Sequence, residues 1–599
     1  MKRILVRILA AIGTVTVCFL LLGIVSMSLF MRRLTGDDIP TKTVLELNLE
    51  QGLAEYIPDD PMVGIFSRRM STIRDVIDAL EQAAQDKRVV AVLARVGSRG
   101  LGLAQIQEIR DAVLAFRQSQ KPTIAYAETF GESGPGTGSY YLATAFESIY
   151  LQPSGDLGIT GLIAETPFFR GALEKIGVEP RFAQRREYKN AMNMFTERKF
   201  TGPHREATQK VMDSQFGQIV KGIATARGLS EEAVRALISK GPLSGQQALE
   251  GKLIDGLMYR DEVVAKLKEK KGGSIKALSL VKYLTRAGRP HDSGKTIALI
   301  YGVGAVQRGK GGYDPMSGNV SMGADSVTAA FRSAIEDKEV KAILFRIDSP
   351  GGSYVASDTI WRETLRAKDA GKPVVVSMGD VAGSGGYFVA MAADKIVAQP
   401  GTITGSIGVL SGKMLTNGFW DKVGVTWDEV HTSDNALLWT SQHDYTPTQW
   451  AQFQSSLDRI YEDFTSKAAQ GRNLPKEKIL AAAKGRIWTG EDAKALGLVD
   501  ELGGFPVALR LAKEAVGLAE GTAVRLEVFP RQKSSFRQAL MERIFEEEED
   551  DKTEEEAATP TAVLVHSMQK LQPLFHLAHR LGFGSGSEVL SMPEVEPVQ

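Results

Sequence analysis

The run DVAGSGGYFVAMAAD over residues 380–394 sets one serine, Ser384, among small residues. It follows an apolar β-type stretch and leads directly into a helical one, so Ser384 falls at a helix N-terminus. Gly383, Gly385 and Gly386 let a peptide backbone approach closely, and the Gly385 amide can point at the oxyanion formed when Ser384 attacks a carbonyl. One donor is seldom enough. The run DSPGGS over residues 348–353 ends the preceding apolar stretch with a second pair, Gly351 and Gly352, whose amides offer another donor while Pro350 fixes the turn. Either turn alone is more often a tight strand-to-helix connection. The two in this order point to acyl transfer at Ser384.

Competing chemistries find less support. A Ser-His-Asp triad would draw on His431 or His443 with Asp434 or Asp444, yet neither histidine sits in a motif and a polar surface setting is the plainer reading. The loop GPGTGS over 134–139 lacks the Gly-Lys-Ser/Thr of a phosphate-binding turn, and is read as a degenerate equivalent of the nucleophile turn. The carboxylates show no metal-ligand spacing, so no metal or cofactor is called for. The single cysteine, Cys18, lies in an apolar N-terminal stretch, which excludes an intramolecular disulfide framework, a cysteine zinc site and a soluble thiol nucleophile. Lys+Arg and Asp+Glu are both 72, which gives no electrostatic ground for a nucleic-acid partner.

The elements that must position these residues occur twice. RVVAVLARVGSRG at 88–100 matches EVKAILFRIDSPG at 339–351, PTIAYAE at 122–128 matches PVVVSMG at 373–379, and GQQALEGKLID at 245–255 matches GEDAKALGLVD at 490–500. A period near 250 residues is duplication of a whole domain, because solenoid repeats fall at roughly 20–50. Strands are predicted at Val44–Leu49, Val89–Val96 and Thr123–Ala127 in the first copy, and at Thr296–Tyr301, Ala342–Ile347 and Val374–Ser377 in the second. Continuous apolar runs separated by helical stretches such as Asp325–Glu336 and Asp358–Ala370 predict α/β units with largely parallel sheets covered on both faces. The charged, Gly/Pro-containing interval between residues 267 and 295 reads as the connector between copies.

Both ends depart from the repeat. Residues 8–30 carry no charge and are long enough for a transmembrane helix. Basic residues flank the run on both sides, so charge alone does not orient it. After Pro530 the acidic run EEEEDDKTEEE at 546–556 reads as a solvated linker, and Ala562–Leu581 as a short amphipathic helix.

SPGGS at 349–353, GSGGY at 383–387, TGSIGV at 404–409 and YKNA at 188–191 together resemble the signal peptide peptidase A (protease IV) family, of the wider Clp-protease/crotonase superfold. The resemblance covers roughly residues 40 to 520 in two repeats and extends to the N-terminal anchor. It implies two tandem Clp/crotonase-like domains: anchor 1–34, first repeat 35–285, second repeat 286–530 and tail 531–599. It also implies that Ser384 is the nucleophile, that Lys189 from the other repeat is its general base, and that Ser406 hydrogen-bonds the lysine amine. By its neighbours alone, Arg185, Arg186 and Glu187, Lys189 would read as an exposed lysine in a charged loop.

Comparison of the copies bears on this. The first has Thr137 at the Ser384 position and Gly100–Leu101 in place of the Gly pair, while the second copy's stretch 425–450, opposite the Lys189 region, contains no lysine. Each copy lacks what the other retains. The resemblance further implies a Ser/Lys-dyad endopeptidase acting on cleaved signal peptides in or near the bilayer. It implies a homotetramer in the bacterial inner membrane, with its catalytic part outside the cytoplasm. The rival readings are a crotonase-type enzyme of acyl-thioesters and an inactive membrane scaffold.

Overall fold

The computed structural model describes residues 38–50, 52–58, 71–97, 101–132, 134–313, 320–531 and 590–591. The apolar run 8–30 and the tail segments 546–556 and 562–581 lie outside them. Among the described residues no helix is long and apolar enough to cross a membrane.

Two parallel sheets carry the α/β fold. The first has six strands in the order Gly256–Leu257, Ser148–Leu151, Thr123–Ala127, Val89–Arg95, Thr43–Asn48, Lys276–Ser279, all parallel. The second follows the order Ile487–Thr489, Ile403–Gly405, Val374–Gly383, Val340–Ser349, Lys295–Val303, Val524–Val528 and is parallel except at the Ile487–Thr489 edge. Runs such as Ile297–Ile300 and Val374–Val376 are wholly buried, as strands covered on both faces must be. The interval read as a connector is instead partly built into the first sheet. Lys276–Ser279 forms its edge, and Leu280, Tyr283 and Leu284 of the helix Leu280–Ala287 are buried beneath it. A short polar-flanked edge strand gives little alternation to read, which is why it escaped the pattern.

The two halves make matching individual contacts. Lys121 Nζ donates to the carbonyls of Ala83 and Asp86, and Lys372 Nζ to those of Ala334 and Asp337. Tyr140 Oη donates to the Leu253 carbonyl and Tyr387 Oη to that of Leu498. Buried polar groups need such partners, and the same solution appears in each half.

A strand pair and a shared core join the halves. Strand Glu179–Arg185 of the first pairs antiparallel with Val409–Leu415 of the second, from Glu179↔Leu415 to Arg185↔Val409. One continuous core also contains Val92, Ile106 and Phe116 together with Leu299, Leu344, Val375 and Phe505. The helix Phe505–Ala515 thus packs residues of its own half into the core of the other.

Candidate active site

The strand Val374–Gly383 is longer than its apolar part. Beyond Ser377 it continues through MGDVAG, pairing Val381–Gly383 with Ile403–Gly405, and so delivers Ser384 at the edge where the helix Gly385–Ala390 begins. Ser384 has φ 53° and ψ −113°, a sparsely populated conformation for a residue with a side chain, typical of a strand-to-helix nucleophile turn. Its amide donates to the Gly405 carbonyl at 2.8 Å and its carbonyl accepts from Phe388 N at 2.8 Å, so neighbours on both sides hold the turn.

Lys189 arrives from the other half. The strand Glu179–Arg185 ends four residues before it, and the cross-half pairing with Val409–Leu415 carries the lysine to Ser384. Nζ lies 2.6 Å from Ser384 Oγ, 2.9 Å from the Ser406 carbonyl and 3.0 Å from Ser406 Oγ. All three residues are fully buried. An uncharged amine can donate its two N–H groups to the Ser406 oxygens and keep its lone pair for the Ser384 hydroxyl. Burial drives Lys189 toward that form: desolvation holds its pKa well below the ordinary lysine value.

Gly485 was not legible as part of this arrangement. Its φ of +81° brings the segment 484–486 against Lys189, where a side chain would collide with the lysine backbone and Cβ. That segment bridges the lysine and Ser406: Tyr188 N donates to the Lys484 carbonyl at 3.1 Å, Gly485 N to Ile407 O at 2.8 Å, and Ser406 N to Arg486 O at 2.7 Å. A lone glycine between Lys484 and Arg486 signals only a turn; its partner is almost 300 residues upstream.

The glycine amides divide. Gly351 N donates to Ser349 Oγ at 3.2 Å. Gly352 is paired with Val306 in a parallel ladder in which Ser353 N donates to the Val306 carbonyl, so the N–H and C=O of Gly352 point the other way, into the cleft. Gly385, the first helical residue, has no intrahelical acceptor for its N–H. A Cβ placed on Gly385 would lie 3.0 Å from Gly352 N, so the two backbones are neighbours.

Behind the two loops stands a half-buried acidic pair. Asp348 Oδ1 accepts from Val381 N at 2.9 Å, tying the Gly351–Gly352 turn to the Ser384 turn. Asp380 Oδ1 accepts from Gln105 N at 3.0 Å and so caps the helix Leu103–Arg117 of the other half, whose own N-cap, Gly102, supplies no side chain. Burial pushes Asp380 up to about 7 and raises Asp348 well above the carboxylate range. Thr137 is closed off, its hydroxyl donating to the Gly161 carbonyl at 3.0 Å and accepting from Gly161 N at 3.2 Å. His431 and His443 stand apart beside Glu429 on an open loop.

A hydroxyl on such a strained turn, held against a desolvated amine, fits the chemistry of a serine peptidase. The model of Peptidase family S49 matches residues 115–274 and 366–519, and the chain belongs to that family. It is 33% identical to the chloroplastic serine protease SPPA of Arabidopsis thaliana over 77% of this chain and 68% of that one. It is 32% identical to Protease 4 of Salmonella typhi, over 75% and 73% of the two chains. Identity to Protease 4 of Haemophilus influenzae is 30%, over 76% and 75%. The protein is a serine peptidase of the signal peptide peptidase type.

Proposed function

We propose that Ser384 and Lys189 form one composite dyad, shared between tandem Clp/crotonase-like domains at 35–285 and 286–530. The carrying observation is the 2.6 Å approach of Nζ to Oγ in a fully buried setting. Lys189 takes the Ser384 proton as Oγ attacks the peptide carbonyl, and the amides of Gly385 and Gly352 hold the oxyanion. The ammonium then protonates the leaving amine and, neutral again, activates the water that hydrolyses the acyl-enzyme. Ser406 fixes the direction of the lysine lone pair. Gly351, whose amide is engaged by Ser349, shapes the turn.

The substrates we assign are cleaved signal peptides and other membrane-proximal peptides. Residues 8–30 would anchor the chain in the bacterial inner membrane with the catalytic part in the periplasm. The apolar run 8–30 and the family support this reading. The exposed Val423, Val425, Trp427, Val430 and Trp439 on one surface segment support assembly with further copies, and the family resemblance implies a tetramer. The test is hydrolysis of a short peptide ester by the wild-type chain, Ser384→Ala and Lys189→Ala, beside an acyl-thioester. Loss of ester hydrolysis in both variants, with the thioester untouched by wild type, is expected. Activity surviving both substitutions would remove the dyad, preferential thioester turnover would indicate a crotonase-type enzyme, and an inert wild type would indicate a scaffold.

A further inference from the structure

The turn that meets Lys189 carries a side chain the dyad does not use. Arg486 follows Gly485, and its carbonyl accepts from Ser406 N at 2.7 Å. Its guanidinium spans to the first half, where Nη2 pairs with Glu206 Oε1 at 2.6 Å on the helix Gly202–Arg227. The guanidinium carbon lies over the ring of Tyr188, 4.9 Å from its centroid. The same carbon is 4.5 Å from the centroid of Trp488, whose Nε1 donates to the Ala482 carbonyl at 2.8 Å and so is fixed in the second half. The buried Nε of Arg486 has no hydrogen-bond partner among the described residues, so ring faces and Glu206 hold the group.

Guanidinium over an aromatic face combines cation–π attraction with planar stacking, which an ammonium cannot copy. Tyr188 immediately precedes Lys189, so a grip on its ring is a grip on the turn that aims the lysine. The other charges on these turns are engaged elsewhere: Glu187 lies 3.6 Å from Lys484, both half-exposed, and Arg186 lies over the Tyr461 ring. The matching strand pair of the first half lacks the device. Asp156 and Leu157 face Ser244 and Leu243 as Ile403 and Thr404 face Thr489 and Trp488. Leu243 therefore stands where Trp488 does, and two residues earlier Gly241 stands where Arg486 does. The half with Thr137 at the Ser384 position has neither the cation nor the aromatic platform.

We propose that Arg486 is a positioning residue of the dyad, its guanidinium holding the Tyr188–Lys189 turn of the first half against the Ser406 turn of the second. The inference rests on the Ser384/Lys189 reading. Arg486 acts through its two neighbours rather than on substrate: its side chain fixes Tyr188, and its carbonyl fixes Ser406, the acceptor of the lysine amine. Both ends of the Nζ–Ser406 hydrogen bonds are thereby set, and the lysine lone pair stays aimed at Ser384 Oγ. A turn that cannot move away from Ser406 also keeps the amine out of water, and burial is what depresses Lys189.

The pH dependence of peptide-ester hydrolysis by the full chain in detergent tests this. In Arg486→Ala, kcat should fall about tenfold to a hundredfold with KM nearly unchanged. The midpoint of its kcat/KM profile should move up by about one pH unit or more, as water reaches the amine. Tyr188→Ala should do the same while leaving the Arg486 charge in place, so a shift common to both is not the loss of a nearby cation. Tyr188→Phe keeps the ring and should keep the wild-type midpoint. Arg486→Lys retains the pair with Glu206 without the planar stack and should fall between. The double variant Tyr188→Ala/Arg486→Ala should be no worse than either single one. Should Arg486→Ala fail to fold, the comparison is read from Tyr188→Ala and Arg486→Lys. Variants that melt lower yet keep the wild-type midpoint overturn the proposal and leave Arg486 a structural residue, as does additivity of the two alanine substitutions. Ester hydrolysis surviving Ser384→Ala would remove the dyad reading itself, and this inference with it.

Discussion

Burying Lys189 is costly, and the proposed dyad depends on that cost. A protonated ammonium with only serine oxygens around it has no counter-charge, and desolvation accordingly lowers its pKa far below about 10.4. Peptide-ester kcat/KM should therefore rise with pH through that depressed value and level off above it, well before the range where a free lysine titrates. Lys189→Arg should be inactive at every pH, since a guanidinium stays protonated. Ser406→Ala, which removes one of the two acceptors orienting the amine, should lower kcat about tenfold or more and leave KM nearly unchanged. Stability follows the same group with a definite sign. Between its depressed folded pKa and about 10.4 the unfolded chain holds the extra proton, so the wild type gains stability as pH rises across that window. Lys189→Met should abolish activity yet melt higher than wild type at pH 7, with the advantage shrinking toward pH 10. Parallel melting curves at all pH values would show that the lysine is not held neutral.

The elements that bring these residues together were legible only in part. The apolar strand centres stand out because a strand covered on both faces must be hydrophobic throughout, and the Gly-rich turns stand out because only small residues tolerate the approach. The polar extension of Val374–Gly383 does not stand out. Asp380 within it looks like a loop residue, because its role depends on a helix almost 280 positions away. The pairing of Glu179–Arg185 with Val409–Leu415 is equally silent, being set by how two domains dock rather than by either strand's composition. Asp380 gives this scale its prediction. Asp380→Ala should cost about 1–2 kcal/mol through loss of the cap on Leu103–Arg117 and lower kcat by loosening the turn before Ser384. Asp380→Asn keeps an acceptor and should restore most of both. With the folded pKa raised to about 7 against roughly 3.9 in the unfolded chain, the native state holds the extra proton between them. This group's contribution is thus full below about pH 4 and lost as pH rises through 7. Glu55 and Arg346 also act on it electrostatically, so the comparison is between wild-type and Asp380→Asn stability curves measured over that window. Gly485→Ala should lower both stability and activity, because a side chain is strained at this positive φ and the added methyl meets the Lys189 backbone itself.

At the scale of the molecule, the two halves pack as one unit, and the ion group between them shows how firmly. Arg346 of the second half is buried with Nε 2.6 Å from Glu55 and Nη2 2.7 Å from Glu108, both of the first half, while Nη1 donates to Ser377 at 2.7 Å. Glu108 also accepts from Phe505 N, so every strong group there has a partner from the opposite domain or beside it. With the hydrophobic core equally shared, either half expressed alone should be insoluble or unfolded as well as inert. The ion group need not be a net source of stability, since desolvating three charges can cost as much as their attraction returns. Its members differ sharply in what their removal leaves behind. Arg346→Met strands two carboxylates in the interface and should cost about 3–5 kcal/mol in denaturant unfolding, whereas replacing Arg346, Glu55 and Glu108 together by apolar residues of similar volume should recover most of that loss. In Arg346→Met the cost should also grow with pH. Glu108, already raised by burial, loses the guanidinium that lowers its pKa, so the native state retains a proton that the unfolded chain gives up above about pH 4. If the single and triple variants were equally unstable, the group would be holding the domains in register by its own attraction. If the triple variant recovered stability but lost peptidase activity, the buried charges would be setting the angle at which Lys189 meets Ser384.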